Sequence, residues 1–356
     1  MLILYRFKIL TYKCENGGIM KNYEALCYEK LDNDKVRCGT CHRHCIIVEG
    51  KRGFCKGREN KGGKLYAINY GKVCSAAIDP IEKKPLFHFY PGSSVFSIAT
   101  GGCNFRCKHC QNWQISQFAP DEIPYTELYP KDIVNTTLNY KCNGIAYTYT
   151  EPTIFYELMH DTAILAKEMD LYNVMITNGY IEKEPLKNLN IDAMNIDIKG
   201  NERFYKEICL ARLEPVLETC ILAKKLGIHI EITNLIIPTY NDNIEDILGI
   251  IEFVKDNLGK ETPLHFTRFH PDYKLTNVPP TPIETLVKAR ELAFEEGLKY
   301  VYVGNVPGYD GENTYCPNCG ELLIKRDGFV ITNSNLDISS GIPRCPICGQ
   351  KIDIII

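Results

Sequence analysis

A chain of 356 residues with 45% hydrophobic and 24% charged side chains has the balance of a soluble globular protein and material for two or three folding units. A formal net charge of −3 gives no global attraction to nucleic acid or to an anionic membrane surface. Seventeen cysteines in so long a chain exclude a small disulfide scaffold and point to metal sites in a reducing, cytoplasmic setting.

The first ten residues are apolar apart from Arg6 and Lys8. Those charges speak against a signal peptide or a membrane anchor, and residues 1–19 read as an over-extended start ahead of an initiator at Met20. Residues 20–62 form a Cys-rich module. Cys38, Cys41, Cys45 and Cys55, with Gly50 and Gly53 for tight turns, can close around one zinc ion or one auxiliary iron–sulfur cluster. The spacing leaves both open, and neither needs His42 or His44 as a ligand. Residues 63–94 carry Gly62-Gly63, Asp79-Pro80, Lys84-Pro85 and Pro91-Gly92 and read as a connector with short strands, folded over a neighbour's surface.

Between residues 95 and 305, β-branched runs alternate with helical segments, the pattern of βα units on a parallel sheet. Strands are expected at 95–100, 145–150, 173–177, 193–198, 228–236, 264–269 and 300–304, which makes an incomplete, TIM-like (β/α)6 barrel. Helices are expected at 153–169, around 217–226 and at 244–257. Thr281-Pro282-Ile283-Glu284 predicts a capping box, with Thr281 as cap and Pro282 in the first helical position. Chemistry in such barrels gathers at the carboxyl ends of the strands. There the sequence places Tyr149-Thr150-Glu151-Pro152, Thr177-Asn178-Gly179, Asp197-Ile198-Lys199 and Arg268-Phe269-His270-Pro271.

The first of these strands runs into Thr100-Gly101-Gly102 and then Cys103, Cys107 and Cys110, spaced Cys-x3-Cys-x2-Cys. Three thiolates from one loop leave one iron of a four-iron cluster without a protein ligand and open to a small molecule. Residues 306–356 hold Cys316, Cys319, Cys345 and Cys348 as two Cys-x2-Cys knuckles, each followed by glycine. That arrangement predicts a zinc ribbon, with rubredoxin-like iron as the other ligation. Cys14, Cys27, Cys74, Cys142, Cys209 and Cys220 read as small buried apolar residues.

The segments Asp79-Pro80-Ile81-Glu82-Lys83-Lys84-Pro85-Leu86, Gly102-Cys103-Asn104-Phe105, Cys110-Gln111-Asn112, Thr148-Tyr149-Thr150-Glu151-Pro152, Thr177-Asn178-Gly179-Tyr180 and Val301-Tyr302-Val303-Gly304-Asn305 resemble the radical SAM member of the AmmeMemoRadiSam system. The resemblance spans residues 20–356. The barrel is also similar to that of the glycyl-radical-enzyme activases, of which the pyruvate formate-lyase activating enzyme is one. This likeness implies an α/β radical SAM barrel with a [4Fe-4S] cluster on Cys103, Cys107 and Cys110 that binds S-adenosylmethionine. One electron from a donor such as ferredoxin or flavodoxin would then yield methionine and a 5′-deoxyadenosyl radical that abstracts hydrogen from a substrate. A protein substrate, or partner proteins of the AmmeMemoRadiSam system, belong to the same implication; nucleic acid and membrane do not, and no general acid–base residue is required.

Carried over by position, Glu151 stands in the place of a Gly-Gly-Glu segment beside the methionine part of SAM. Asp197 and Lys199 match an Asp-Leu-Lys near SAM or a monovalent cation, and His270 stands where an activase histidine approaches SAM. Three departures accompany these matches: Gly-Gly is absent before Glu151, Ile176 replaces an acidic residue of the cation site, and His109 replaces the usual aromatic before the third cysteine. Phe105, Trp113 and Tyr147 read as core or lid packing. Other outcomes on the same scaffold are a glycyl-radical activase proper, a methyl or sulfur transferase, or a modification in which the Cys38–Cys55 site stores an electron. Outside that class stands a non-enzymatic metal-binding scaffold.

Overall fold

The computed structural model describes residues 23–356; the expected over-extended start and Cys14 lie outside them. A nine-stranded sheet organises the molecule. Its strands in chain order are β1 Lys72–Pro80, β2 Ser94–Thr100, β3 Thr126–Glu127, β4 Gly144–Tyr147, β5 Tyr172–Thr177, β6 Ala193–Asp197, β7 His229–Ile236, β8 Leu264–Arg268 and β9 Val301–Gly304. In space they run β9-β8-β7-β6-β5-β4-β2-β1-β3. β2 and β4 to β9 pair in parallel, whereas β1 pairs antiparallel with both β2 and β3. Helices α1 Pro130–Asn139, α2 Tyr156–Glu168, α3 Lys183–Lys187, α4 Glu214–Lys225, α5 Ile244–Phe253 and α6 Ile283–Glu295 fill the crossovers. The result is an α/β protein with a mixed, open sheet.

Side chains alternate between the two faces of a strand, and the core divides accordingly. Phe96, Ile98, Ile145, Tyr147, Met175, Met194 and Ile196 pack with helix residues such as Ile133, Met159, Ala163 and Val216. The opposite positions Val95, Ala146, Tyr172, Val174 and Ala193 pack instead on Ile81, Leu86 and Phe89. Residues 63–94 are therefore not a surface connector. Lys72–Pro80 extends the sheet, with Asp79 opposite Val95, and the prolines that follow turn the chain beneath its inner face. There the Asn195 side-chain amide donates to the Pro85 carbonyl at 2.8 Å, and buried Glu231 accepts from the His88 amide at 2.7 Å.

Two small modules flank the sheet. At the N-terminal end, Ala25, Val36, Ile47 and Leu65 form a separate core with Cys38. It docks on α2: Arg58 and Glu157 make an ion pair with side chains 2% and 1% exposed. Around that pair, the Leu26 amide donates to Glu157 at 3.0 Å, and the Tyr23 and Tyr70 hydroxyls both donate to Asp161 at 2.7 Å. At the C-terminal end, Leu323, Ile324, Ile352 and Ile354 pack on Phe87, Tyr300 and Tyr302.

Two local expectations need correction. The strand expected at 145–150 ends at Tyr147, because Tyr149 takes φ of 63°, a left-handed conformation that bulky residues rarely adopt. The capping box at Thr281 does not form. Helix α6 begins at Ile283 after Pro282, without a side-chain cap, while the Thr281 hydroxyl donates to the Ile236 carbonyl at 2.6 Å and accepts from the Phe269 amide at 2.9 Å. A hydroxyl that ties β7 to the end of β8 has no capacity left for the helix.

Candidate functional site

Strand β2 delivers the chain to Gly101-Gly102 and then to the cysteine loop. Gly102 has φ of +102°, and a Cβ there would stand 2.3 Å from the Cys55 carbonyl oxygen; only glycine permits both. Within the loop, the Cys103 sulfur accepts from the Phe105 amide at 3.3 Å, and the Cys110 sulfur lies 3.2 Å from the Ser116 hydroxyl. Burial, followed by the neighbouring charges, pushes the Cys103 thiol well up. The Cys107 thiol is pushed up first by a hydrogen bond with Cys209 and then by burial. Thiols crowded and buried in this way become thiolates together when they share a cation, the chemistry an iron cluster supplies.

Segments from successive strand ends are fastened to this loop. The Asn178 side chain donates to Asn104 Oδ1 at 2.8 Å, and Asn112 Nδ2 donates to the Tyr149 carbonyl at 2.8 Å. The amides of Arg106 and Lys108 donate to the carbonyls of Cys209 and Ile208 at 2.9 and 3.0 Å, and the Lys274 amide donates to Lys108 at 2.9 Å. Trp113 stacks on Tyr273, with ring centroids 5.3 Å apart and planes 15° apart, so the segment after β8 lies over the loop.

Three buried polar atoms in this neighbourhood have no protein partner: His109 Nδ1, Asn104 Nδ2 and Thr233 Oγ1. Burial, then the charge of Lys199, pushes the His109 imidazole down to about 3, so its ring is neutral. Thr233 lies on β7 opposite Asp197 of β6. Unsatisfied buried groups are scarce in native interiors, and such a set suits a polar ligand such as SAM.

The expected outer residues behave differently from one another. Glu151 is 1% exposed and saturated: it accepts from the Thr153 amide at 3.0 Å, the Thr153 hydroxyl at 2.6 Å, the Thr177 hydroxyl at 2.7 Å and the Asn178 amide at 2.8 Å. Its carboxylate clasps the ends of β4 and β5 together. Asp197 and Lys199 pair at 2.8 Å. Burial opposes the Lys199 charge, yet Asp197, then Cys107 and Cys209, hold its ammonium well above the ordinary range. His270 is exposed just beyond β8. Phe105 and Tyr147 are core residues, 1% and 0% exposed.

Two features were not legible in the sequence. Cys209 ends a π-helical turn, Tyr205–Cys209, followed by Leu210 at φ of 54°, and that turn aims it at Cys107. Lys84, 1% exposed, donates to Asp79 Oδ2 at 2.7 Å and stands 4.5 Å from the centre of the Tyr149 ring. The Tyr149 hydroxyl also donates to Asp79. On the sheet face away from the helices, Asp79 and Lys84 thus meet the Tyr149 side chain beside the apolar contacts of Ile81 and Leu86.

The two other thiol groups differ in setting. Cys316 and Cys348 sulfurs lie 3.6 Å apart, as do those of Cys319 and Cys345, and all four sulfurs lie within 4.8 Å of one another. The Cys38, Cys41, Cys45 and Cys55 group is not drawn so close. His42 and His44 share Glu182 at 2.7 and 2.9 Å; this clasp joins the N-terminal module to the loop after β5.

Comparison with known proteins follows the same lines. The profile of the Radical SAM superfamily matches residues 97–254. An uncharacterized protein of Methanocaldococcus jannaschii is 70% identical over 333 residues, 94% of this chain and 99% of its own length. A putative glycyl-radical enzyme activating enzyme of the same organism is 28% identical over 216 residues, covering 59% of this chain and 79% of the relative. The pyruvate formate-lyase-activating enzyme of Clostridium pasteurianum is 24% identical over 218 residues, covering 56% and 87%. With its three-cysteine loop at the end of the first parallel strand, the chain carries a Radical SAM superfamily domain over residues 97–254.

Proposed function

We propose that this enzyme cleaves S-adenosylmethionine at the Cys103, Cys107 and Cys110 loop and abstracts hydrogen from a substrate held on the inner face of the sheet. The observation that carries the reading is the fastening of successive strand-end segments to this loop, around buried polar atoms without protein partners. When bound there, a [4Fe-4S] cluster supplies the electron that divides SAM into methionine and a 5′-deoxyadenosyl radical.

The protein's own part is ligation, positioning and shielding. Cys103, Cys107 and Cys110 would ligate three irons. Glu151 fixes the backbone from Tyr149 to Asn178 and acts on SAM through that backbone. Lys199 and Asp197 offer one positive and one negative group, the complement of an amino-acid carboxylate and ammonium. His109, Asn104 and Thr233 offer neutral polar atoms, and the Trp113–Tyr273 stack keeps water from the loop. His270 stands at the exposed rim, where it contacts whatever enters. Lys84 is buried against Asp79, and burial pushes its amine down to about 8.

The electron comes from a low-potential donor such as ferredoxin or flavodoxin. The narrower likeness to the radical SAM member of the AmmeMemoRadiSam system favours a protein, or a partner of that system, as the object of modification. Cys316, Cys319, Cys345 and Cys348 hold zinc: at a Zn–S length of ~2.3 Å, tetrahedral thiolates stand ~3.8 Å apart, close to the 3.6 Å separations observed. The test is anaerobic reconstitution followed by SAM and a strong reductant. Release of 5′-deoxyadenosine and methionine, lost in Cys110→Ala, is expected; a cluster-loaded protein that releases neither overturns the proposal.

A further inference from the structure

The N-terminal quartet can be read against the two other thiol groups of the same molecule. A single tetrahedral ion draws its thiolates together, and the C-terminal group, with every sulfur within 4.8 Å of the others, has that setting. A cube of four irons holds each thiolate on a different corner and therefore farther apart. The radical SAM cysteines Cys103, Cys107 and Cys110 and the quartet Cys38, Cys41, Cys45 and Cys55 are set differently: in neither group do three sulfurs lie within 4.8 Å of one another. The quartet is nevertheless gathered at one place: the Cys38 amide donates to the Cys45 carbonyl at 3.0 Å, the His44 amide donates to the Cys41 carbonyl at 3.2 Å, and Gly53, two residues before Cys55, stands against Cys45.

Arg58 is a second, independent pointer. Its side chain is 2% exposed, and its carbonyl accepts from the Gly53 amide at 2.9 Å across the turn that holds Cys55. One guanidinium nitrogen binds Glu157, while another, Nη2, is buried without a partner. A guanidinium of this kind provides charge-assisted donors to an anionic group. Its own hairpin carries Cys55, and a Cβ on Gly53 would touch both Arg58 at 3.7 Å and Cys45 at 3.8 Å. The position also bears on the known loop, since the Cys55 carbonyl packs directly on Gly102.

We propose that Cys38, Cys41, Cys45 and Cys55 hold a second, fully ligated [4Fe-4S] cluster, with Arg58 as the residue that positions it and compensates its charge. Four protein thiolates leave no iron open, so this cluster binds no SAM. It stands one backbone contact from the cluster loop. The N-terminal module is then a redox unit docked on the barrel.

The test uses full-length protein, produced and handled without oxygen. Wild type is expected to hold roughly eight irons and eight sulfides per chain, and the Cys103→Ala, Cys107→Ala, Cys110→Ala triple variant roughly four of each, with a reduced-cluster electron paramagnetic resonance signal. Cys41→Ala with Cys55→Ala should likewise retain roughly four and keep the SAM-responsive signal. A triple variant with no iron or sulfide, or wild type with zinc at two sites per chain, overturns the proposal without touching the radical SAM reading. That reading fails separately, if a two-cluster protein cleaves no SAM. For Arg58, the readout is the midpoint potential of the remaining cluster in the triple variant. Loss of the positive charge in Arg58→Gln should make it more negative, and Arg58→Lys should restore it in part. Arg58→Gln with Glu157→Gln serves where the single change leaves Glu157 unpaired, and an unchanged potential removes Arg58 from its assigned role.

Discussion

Gly102→Ala gives the sharpest test of how the cluster loop is held. A Cβ at this position would sit 2.3 Å from the Cys55 carbonyl oxygen, and φ there is +102°. The strained backbone alone costs roughly 1–3 kcal/mol, and forcing extra volume into close packing adds roughly 1–3 kcal/mol. The obstacle is backbone, not the end of a flexible side chain, so relief requires either the cysteine loop or the Cys55 turn to move by about an ångström, given carbon–oxygen contacts that ordinarily exceed 3 Å. Gly50→Ala supplies the control: it shares a positive φ, +69°, but meets nothing within 4 Å. The expected result is iron loading reduced at least several-fold in Gly102→Ala and intact in Gly50→Ala, with both proteins soluble. Iron and sulfide per chain, with thermal unfolding as a second measurement, decide the matter. If Gly102→Ala loads iron fully and melts with wild type, the Cys55 turn does not brace the cluster loop.

Other residues give further tests. Thr281→Ala removes the fully buried hydroxyl that joins the Ile236 carbonyl to the Phe269 amide; each orphaned group costs roughly 1–3 kcal/mol, while Thr281→Ser should retain most stability in a denaturant titration. Cys209→Ala should keep the iron of wild type, since Cys209 contacts Cys107 without belonging to the loop, whereas Cys107→Ala should lose that cluster; loss of iron in Cys209→Ala would make the contact a ligand interaction. Glu312 is pushed up to about 7 by burial, against an ordinary value of ~4.3. Between those values the folded state holds a proton that the unfolded state has released, so its contribution to stability is complete below ~4.3 and falls as pH rises through about 7. Glu312→Gln should therefore melt higher than wild type at pH 8 and match it near pH 4; equal pH slopes would contradict the assignment.

Seven parallel strands were legible because each carries its signal locally, as a short β-branched run followed by a helix. β1 carries no such label. Its alternation is broken at the register shift between Val73 and Ser75, and Pro80, Pro85 and Pro91 look the same whether a chain turns across a surface or under a sheet. The N-terminal strands, two to four residues long, are too short to show any period. Thr281 exposes a different ambiguity: a threonine before a proline satisfies the grammar of a helix cap, but the same hydroxyl can be claimed by two remote backbone groups. Burial decides between them, and burial is not written in the local sequence.

The site divides along the same line. Ligand identity and spacing are local, so the eleven clustered thiols could be found before any fold was known. What the other groups do depends on who reaches them. Glu151 was found by position, yet its four donors come from both its own helix start and the end of β5, and they make it a clasp. Cys209 was passed over because its approach to Cys107 is produced by a π-turn and a left-handed leucine, features without a residue signature. The inner-face segment Asp79–Leu86 is the strongest case: the sequence marked it only by its family likeness, and the folding of β1 against β2 is what brings Lys84 and Asp79 to Tyr149. A left-handed tyrosine, a buried lysine and a shared carboxylate assembled from two separate stretches are expensive to maintain as structure alone. Their pairing holds Tyr149 in place, and with it the backbone carbonyl that Asn112 fastens to the cysteine loop.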